Sequence, residues 1–282
     1  MECEKLDLKH MDLLHERLKN ISTPMAEYSF ANLYLFRRIH DYEVIHGKDL
    51  FIRGKSVDGY TFIMPTKNIN EINMDYLKEM AESVDFVFPV DKEWLNYFGE
   101  HADYYNFEGD TDYIYTVEKI STYKGRKLHK KRNLLKQFLQ EYSFECRPLV
   151  DDNVQDAFYI LNKWQDDIDL PPEETDFYSC KEALEMHEKL ILCGLIYYVD
   201  GKPGGFIMGE ELNDETFVMH FAKGIKNYKG IYQFIYNDFA KRLPKKYNYL
   251  NFEQDLGKTA LRIAKSSYVP DIMYKKYRVK SW

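Results

Sequence analysis

Between Ile191 and Lys223 the chain reads as apolar runs joined by very short turns: ILCGLIYYV, Asp200-Gly201, GGFIMGEEL, Asn213-Asp214, TFVMHFAK. Asp-Gly supplies the positive backbone angles that a two-residue hairpin requires. Asn and Asp also tolerate the left-handed conformation of tight turns. Runs rich in Ile, Val, Tyr and Phe and joined this tightly predict sequential antiparallel strands. The next stretch changes period. After the loop GIKNYKG, Ile231, Phe234, Ile235, Phe239 and Leu243 recur at helical spacing. A strand NYLNF, a helix LGKTALRIAKSS and a last strand IMYKKYRV close the chain. This order predicts a mixed α/β domain in the C-terminal half.

The first half mixes the same ingredients. Leu6, Met11, Leu14 and Leu18 are spaced as on a helix, and YSFANLYLFRRI after Pro24 is a second one. YEVIHGKDLFIRG predicts two strands around Gly47, and YTFIMP a third. Residues 74–83 read as a short helix, DFVFPV as a buried strand, DKEWLNYFGEH as a helix capped by Asp91, and DYIYTVEKI as a strand. The fold class expected is therefore α/β with mixed sheets, in two domains, 1–122 and 123–282. The second opens with helices over Arg126–Tyr142, Asn153–Asp166 and Tyr178–Leu190, and its acidic loop DDIDLPPEETD reads as a solvated connection.

The 282 residues suit two domains, and a net charge of -7 excludes a generic polyanion binder. Cys3, Cys146, Cys180 and Cys193 form no CxxC pair, which fits a reducing compartment. The opening MECEKLDLKH lacks a signal-peptide core, and the most apolar run, Leu190–Val199, is about half of a membrane span. A cytoplasmic protein without a transmembrane segment is expected.

Three places carry chemistry. Lys124, Arg126, Lys127, His129, Lys130, Lys131 and Arg132 crowd the start of a helix, where the macrodipole disfavours cations by about 0.3–1 kcal/mol each. Such a run reads either as a solvated face or as a seat for a phosphate-rich partner such as tRNA. The element order of the C-terminal half is also the core order of the GNAT acyltransferase fold. In that fold the loop before the central helix holds Q/R-x-x-G-x-G/A around a cofactor pyrophosphate. Here Asn227 stands first, Gly230 is kept, and the bulky Tyr232 takes the second small position. Acetyl-CoA is thereby disfavoured. The third place is Asn251, Glu253 and Asp255, followed by Arg262, Lys265 and Tyr268. Glu253 or Asp255 suits the proton acceptor of an acyl transfer, and Tyr268 or Lys265 the group returning a proton to the leaving oxygen. The competing reading of Asp255 is helix capping with a salt bridge to Arg262. His220, on the expected face of Thr216, Val218 and Ala222, is either a base or a satisfied sheet histidine. No HExxH, Ser-His-Asp order or cysteine cluster is present, so no metal is expected.

KLHKKRNLLKQFLQEY, YYVDGKPGGFIMGEELNDETFVMHFAK, NYLNFEQDLGKTALRIAKSSYVP, the closing KKYRV and the early YSFANLYLFRR together resemble the C-terminal catalytic domain of phosphatidylglycerol lysyltransferases. They are more similar still to soluble proteins grouped with that domain. The resemblance implies two tandem GNAT-like domains related to Fem-type aminoacyltransferases, which move an amino acid from aminoacyl-tRNA to a lipid or peptide acceptor. It implies that Lys127, His129, Lys130, Lys131 and Arg132 face the donor, with Asn251, Arg262 and His220 contributing. It further places Asp255, Lys265 and Tyr268, with Glu253, near the transfer point. The lysyltransferases carry a membrane-spanning portion absent here, which puts a lipid-headgroup acceptor in question. An acetyl-CoA-dependent N-acetyltransferase and a non-catalytic RNA or small-molecule binder are the other readings.

Overall fold

The turns read from the sequence form hairpins, and the hairpins define two sheets. In a computed structural model describing residues 2–282, the chain begins β1 (Glu2–Lys5), α1 (Met11–Lys19), α2 (Phe30–Phe36), β2 (Glu43–His46), β3 (Leu50–Lys55) and β4 (Thr61–Pro65). It goes on through α3 (Met74–Ala81), β5 (Phe86–Val90), β6 (Asp103–Asn106), β7 (Asp112–Thr116), α4 (Val117–Thr122) and α5 (His129–Glu141). Then come β8 (Phe144–Pro148), α6 (Val154–Asp166), α7 (Phe177–Met186), β9 (Cys193–Val199), β10 (Lys202–Asn213) and β11 (Thr216–Gly224). The chain ends α8 (Ile231–Arg242), β12 (Tyr249–Asn251), α9 (Thr259–Ser266), β13 (Ile272–Tyr274) and β14 (Tyr277–Ser281).

Two compact units result. One comprises Met1–Tyr113, Glu253–Ile263 and Ile272–Trp282; the other comprises Ile114–Phe252 and Ala264–Asp271. The single crossing expected near Thr122 is thus replaced by a chain that returns to its first unit after β12.

The first unit holds the sheet β1-β2-β3-β4-β5-β14-β6, antiparallel except for the parallel pair β4–β5. Phe51, Ile63, Leu77, Val87 and Val279 are fully buried in its core. The run IMYKKYRV, expected as one strand of the second domain, is broken at Lys275-Lys276, and β14 enters this first sheet. The reason is electrostatic. Lys276 and Arg278 are both wholly buried, and their carboxylates, Glu27, Asp112, Asp58 and Asp110, all belong to this unit.

In the second unit the sheet runs β7-β12-β11-β10-β9-β8, with β11 and β12 parallel. Helix α5 packs on α8 through the stacked rings of Phe138 and Phe234, 4.3 Å between centroids. DYIYTVEKI is strand only to Thr116, because the Thr116 hydroxyl accepts the Lys119 N–H and starts α4. DKEWLNYFGEH forms only a 3₁₀ turn over Glu93–Phe98, although Asp91 does accept the Glu93 N–H. Strands β1 and β8 carry no clear alternation and escaped the sequence reading.

Candidate functional site

Strand β11 organises the second unit. Against β10 its register places Phe221 opposite Met208 and Met219 opposite Gly209, so His220 is the extra residue of a β-bulge. A bulge re-aims the side chain it carries, which is why the alternation expected for Thr216, Val218, His220 and Ala222 fails at this point. Gly209 is needed here, since a Cβ on it would lie 2.0 Å from the Val218 carbonyl oxygen. On the other edge, β12 pairs only from Thr216↔Tyr249 to Val218↔Asn251. Beyond that pair β11 runs on to Gly224 with no strand paired to that edge among the described residues. His220 therefore lies two residues past the point where the parallel strands part. Its Nε2 is 2.9 Å from Oε1 of Glu210, and both side chains are buried. Glu210 was missed in the sequence, where it reads only as one of two adjacent acids, Glu210 and Glu211, near the end of a largely apolar run.

At the far end of β11 a cleft of about 360 Å³ opens at the start of α8, lined by Trp164, Lys226, Tyr228, Lys229, Tyr232 and Gln233 among others. Gly230 precedes the helix at φ 85°, and a Cβ there would lie 2.5 Å from the Leu134 carbonyl oxygen. No side chain caps the helix and no acid sits in its first turn, so its amide groups present positive potential to the cleft. Lys226 and Lys229 are exposed. Lys223 is buried, bound by both oxygens of Asp176 at 2.6 and 2.8 Å, with its ammonium 3.5 Å from the centre of the Trp164 ring. The Tyr232 hydroxyl accepts the Gly224 N–H at 3.3 Å, and burial pushes its pKa up to about 12.

Gln233 connects this wall to Tyr268, donating its Nε2 to the phenol oxygen at 3.0 Å. Tyr268 is buried, and burial pushes its hydroxyl well above the ordinary value, so it stays protonated. The ammonium of Lys131 lies 3.8 Å from the centre of its ring and donates to Ser267 at 2.7 Å; burial lowers the pKa of this lysine. The structure thus brings together Tyr268 and Lys131 of the sequence-named residues, and adds Gln233.

The basic run divides into two kinds of residue. Arg132 is spent on the carbonyls of Tyr123 and Gly125, and His129 on that of Arg126. Lys124, Arg126, Lys127 and Lys130 are exposed. Asn251 is fully buried at the end of β12. The Lys265 carbonyl accepts the Tyr115 hydroxyl at 2.7 Å.

In the first unit Asp255 is wholly engaged by protein. It accepts from Arg262 at 2.8 and 3.2 Å, from the Tyr113 hydroxyl at 2.7 Å and from the Gly257 N–H at 2.8 Å. Burial pushes this carboxyl up, but hydrogen bonds from Arg262, Tyr113 and Gly257 outweigh burial and hold it below the usual range. Arg262 also pairs with Glu108 at 2.9 Å. Glu253, left-handed at φ 60°, accepts from Asn32 at 2.8 Å. These contacts are those of a loop anchor and include the expected salt bridge to Arg262, while the amide that the Asp255 side chain accepts from is that of Gly257, ahead of α9.

The sequence profile of the family described as phosphatidylglycerol lysyltransferase, C-terminal, matches residues 19–280. An uncharacterised protein of Mycoplasmoides gallisepticum is 27% identical over 206 residues, which cover 70% of this chain and 64% of that protein. The chain thus spans just under two thirds of that curated relative. A conserved protein of unknown function from Bacteroides thetaiotaomicron is 27% identical over the whole of both chains, with a TM-score of 0.86. L-PGS from Bacillus licheniformis shares the fold at a TM-score of 0.62 and 14% identity, over 99% of this chain and 93% of that one. FemX shares it at 0.60 and 8% identity, over 100% and 98%. The architecture is that of two tandem GNAT-like domains. Among the described residues no helix is long and apolar enough to cross a membrane.

Proposed function

The chain belongs to the phosphatidylglycerol lysyltransferase C-terminal family, and we propose that it moves an aminoacyl group from aminoacyl-tRNA to an amine or hydroxyl acceptor. Family and fold point to a GNAT-like acyl- or aminoacyltransferase. The observation that carries the finer reading is the buried His220–Glu210 pair, set on a bulge where the parallel strands part. Attack on an ester by an amine or hydroxyl requires a base for the proton released. The contact between Nε2 and Glu210 orients the imidazole for this role. Glu210 then offsets the positive charge that a captured proton brings. The protonated Tyr268 hydroxyl, oriented by Gln233, is assigned to the leaving oxygen, with Lys265 as the alternative proton donor.

Two features favour tRNA over acetyl-CoA as donor. Exposed cations cluster at Lys124, Arg126, Lys127 and Lys130 and again at Lys226 and Lys229, in a chain that is acidic overall. The Tyr232 hydroxyl already occupies the Gly224 N–H at the mouth of the α8 amides, in the region where a CoA pyrophosphate would need unencumbered backbone.

The test is transfer of label. A pool of tRNA charged with radiolabelled amino acids is offered with phosphatidylglycerol vesicles, short peptides with free amino groups, or simple amines. Label should pass from tRNA to one of these acceptors. His220→Gln, which keeps a hydrogen-bonding group of similar reach, should slow transfer about 100- to 10,000-fold. Transfer from acetyl-CoA with micromolar affinity, and none from the charged pool, would replace this reading by the N-acetyltransferase.

A further inference from the structure

We propose that Glu4, His10 and His46, in the first unit, form a binding site for a divalent transition-metal ion of the zinc class. Antiparallel pairing of β1 with β2 sets Glu4 opposite Val44. Side chains alternate along a strand, so Glu4 and His46 share one face of the sheet. His10 arrives from the 3₁₀ turn Leu8–His10, its ring almost completely buried.

Both imidazoles converge on one carboxylate oxygen. Nε2 of His10 lies 2.9 Å and Nε2 of His46 3.2 Å from Oε1 of Glu4, with 6.3 Å between the ring centroids. The three ligand atoms lie within 4.8 Å of one another. Tetrahedral zinc, with bonds of about 2.0–2.2 Å, sets its ligand atoms roughly 3.4 Å apart. A modest outward shift of the two rings therefore makes room for the ion, with a fourth position left for water.

The surroundings suit a ligand set as well as they suit an ion pair. Nδ1 of His10 lies 3.1 Å from the Asp7 carbonyl oxygen and 3.0 Å from the Asp7 amide. In the metal-free tautomer Nδ1 accepts from the amide and Nε2–H donates to Glu4. In the metal-bound tautomer Nδ1–H donates to the carbonyl and the Nε2 lone pair turns to the ion, the usual second contact of a ligating histidine. Lys9 pairs with the other oxygen, Oε2 of Glu4, and so orients the carboxylate while leaving Oε1 to the ion. The side chains of His46 and Glu4 are 34% and 31% exposed, which gives the ion a path. Positions 4, 10 and 46 follow no sequence motif, so only the β1–β2 register reveals the set. A bound ion would clip the first strand and the entry to α1 onto β2.

The experiment uses the full chain without any polyhistidine tag, treated with chelator, titrated calorimetrically with ZnCl₂ and in parallel with MgCl₂. One equivalent of Zn²⁺ should bind saturably and raise the melting temperature, since an ion that binds only the folded state stabilises it. Mg²⁺, which prefers oxygen ligands, should give neither effect. His46→Ala and Glu4→Gln, at partly exposed positions, should each weaken Zn²⁺ at least about tenfold with an unchanged far-UV spectrum. Binding should also weaken at pH 5.5, because the ion competes with protons for its ligands. No saturable binding, or binding untouched by His46→Ala, would overturn the proposal. So would binding removed by alkylating the cysteines alone.

Discussion

Two regions treat positive charge in opposite ways: the closing strand of the first unit and the starts of α5 and α8 in the second. In the first, Lys276, just before β14, and Arg278, within it, are sealed inside. The Lys276 ammonium lies 2.6 and 2.8 Å from the oxygens of Glu27, 2.8 Å from Asp112 and 3.1 Å from Gln254. Arg278 meets Asp110 at 2.7 and 3.1 Å and Asp58 at 2.7 Å. In the second unit the cations at the starts of α5 and α8 largely remain at the surface, on helix ends that disfavour them. A buried ion pair adds little stability over an apolar replacement of both partners, but losing one partner strands a charge in the core. Lys276 and Arg278 therefore act as addresses: they fix which sheet the closing strand joins. The exposed lysines have no such role and are available to a ligand.

The strongest way to break this contrast is Lys276→Met. It strands Glu27 and Asp112 in the interior and is expected to cost about 3–5 kcal/mol, read as a lower urea midpoint or loss of soluble protein. Lys130→Met, on the exposed surface, should change stability by less than about 0.5 kcal/mol. Equal losses would mean that the buried contacts are not what holds β14.

A finer test uses pH. Burial pushes the Glu27 carboxyl up to about 7, against the pull of Lys276 and helped by Asp112. The cluster is then closest to neutral when Glu27 holds a proton. A carboxyl whose folded pKa lies above its unfolded one binds a proton more readily in the folded state. Its stabilising contribution is complete below the ordinary value of 4.5 and is lost as pH rises toward 7. The slope from one such group is at most about 1.4 kcal/mol per pH unit. Glu27→Gln, fixed in the neutral form, should flatten the fall in stability across that window relative to the natural chain. Unchanged slopes in the two proteins would show that Glu27 is ionised throughout.

What the sequence made legible follows the same divide. The hairpins from β9 to β11 and the helix α8 were readable because their signals are local: a turn dipeptide and an apolar period within a few residues. The place of β14 was not, because Lys276 finds its partners at Glu27 and Asp112, far away along the chain. The bulge at His220 left almost no trace, since an extra residue in a strand looks like ordinary alternation until register is known; Gly209 was its only local cue. Asp255 and Arg262 were named together, and seven residues across a loop and a helical turn sufficed for the salt bridge to be anticipated. Tyr268 and Lys131 were each named from the sequence, whereas Gln233 carried no signal within its amphipathic helix.

The smallest expected effect lies on the exposed side of the contrast. Lys127 and Lys130 are exposed, while Lys131 packs on Tyr268 and bonds to Ser267. If the run seats a nucleic-acid backbone, each phosphate contact contributes about 0.7–0.9 to the slope of log affinity against log salt, through counterion release. Replacing Lys127 and Lys130 together by Gln should lower the magnitude of that slope for tRNA by roughly 1–2. The loss of affinity should be modest and should shrink as salt rises, because the contacts removed are the ones that salt screens. Lys131→Gln is expected to behave differently. It removes a cation from a buried ring and a hydrogen bond to Ser267, so its effect should persist at high salt and appear in thermal stability as well. Measuring both variants by filter binding across a salt series separates a charge available to a partner from one already committed to the fold. If the two variants show the same salt dependence, Lys131 belongs with the phosphate-facing set; if neither changes the slope, the run is a solvated face and the tRNA donor loses its main support.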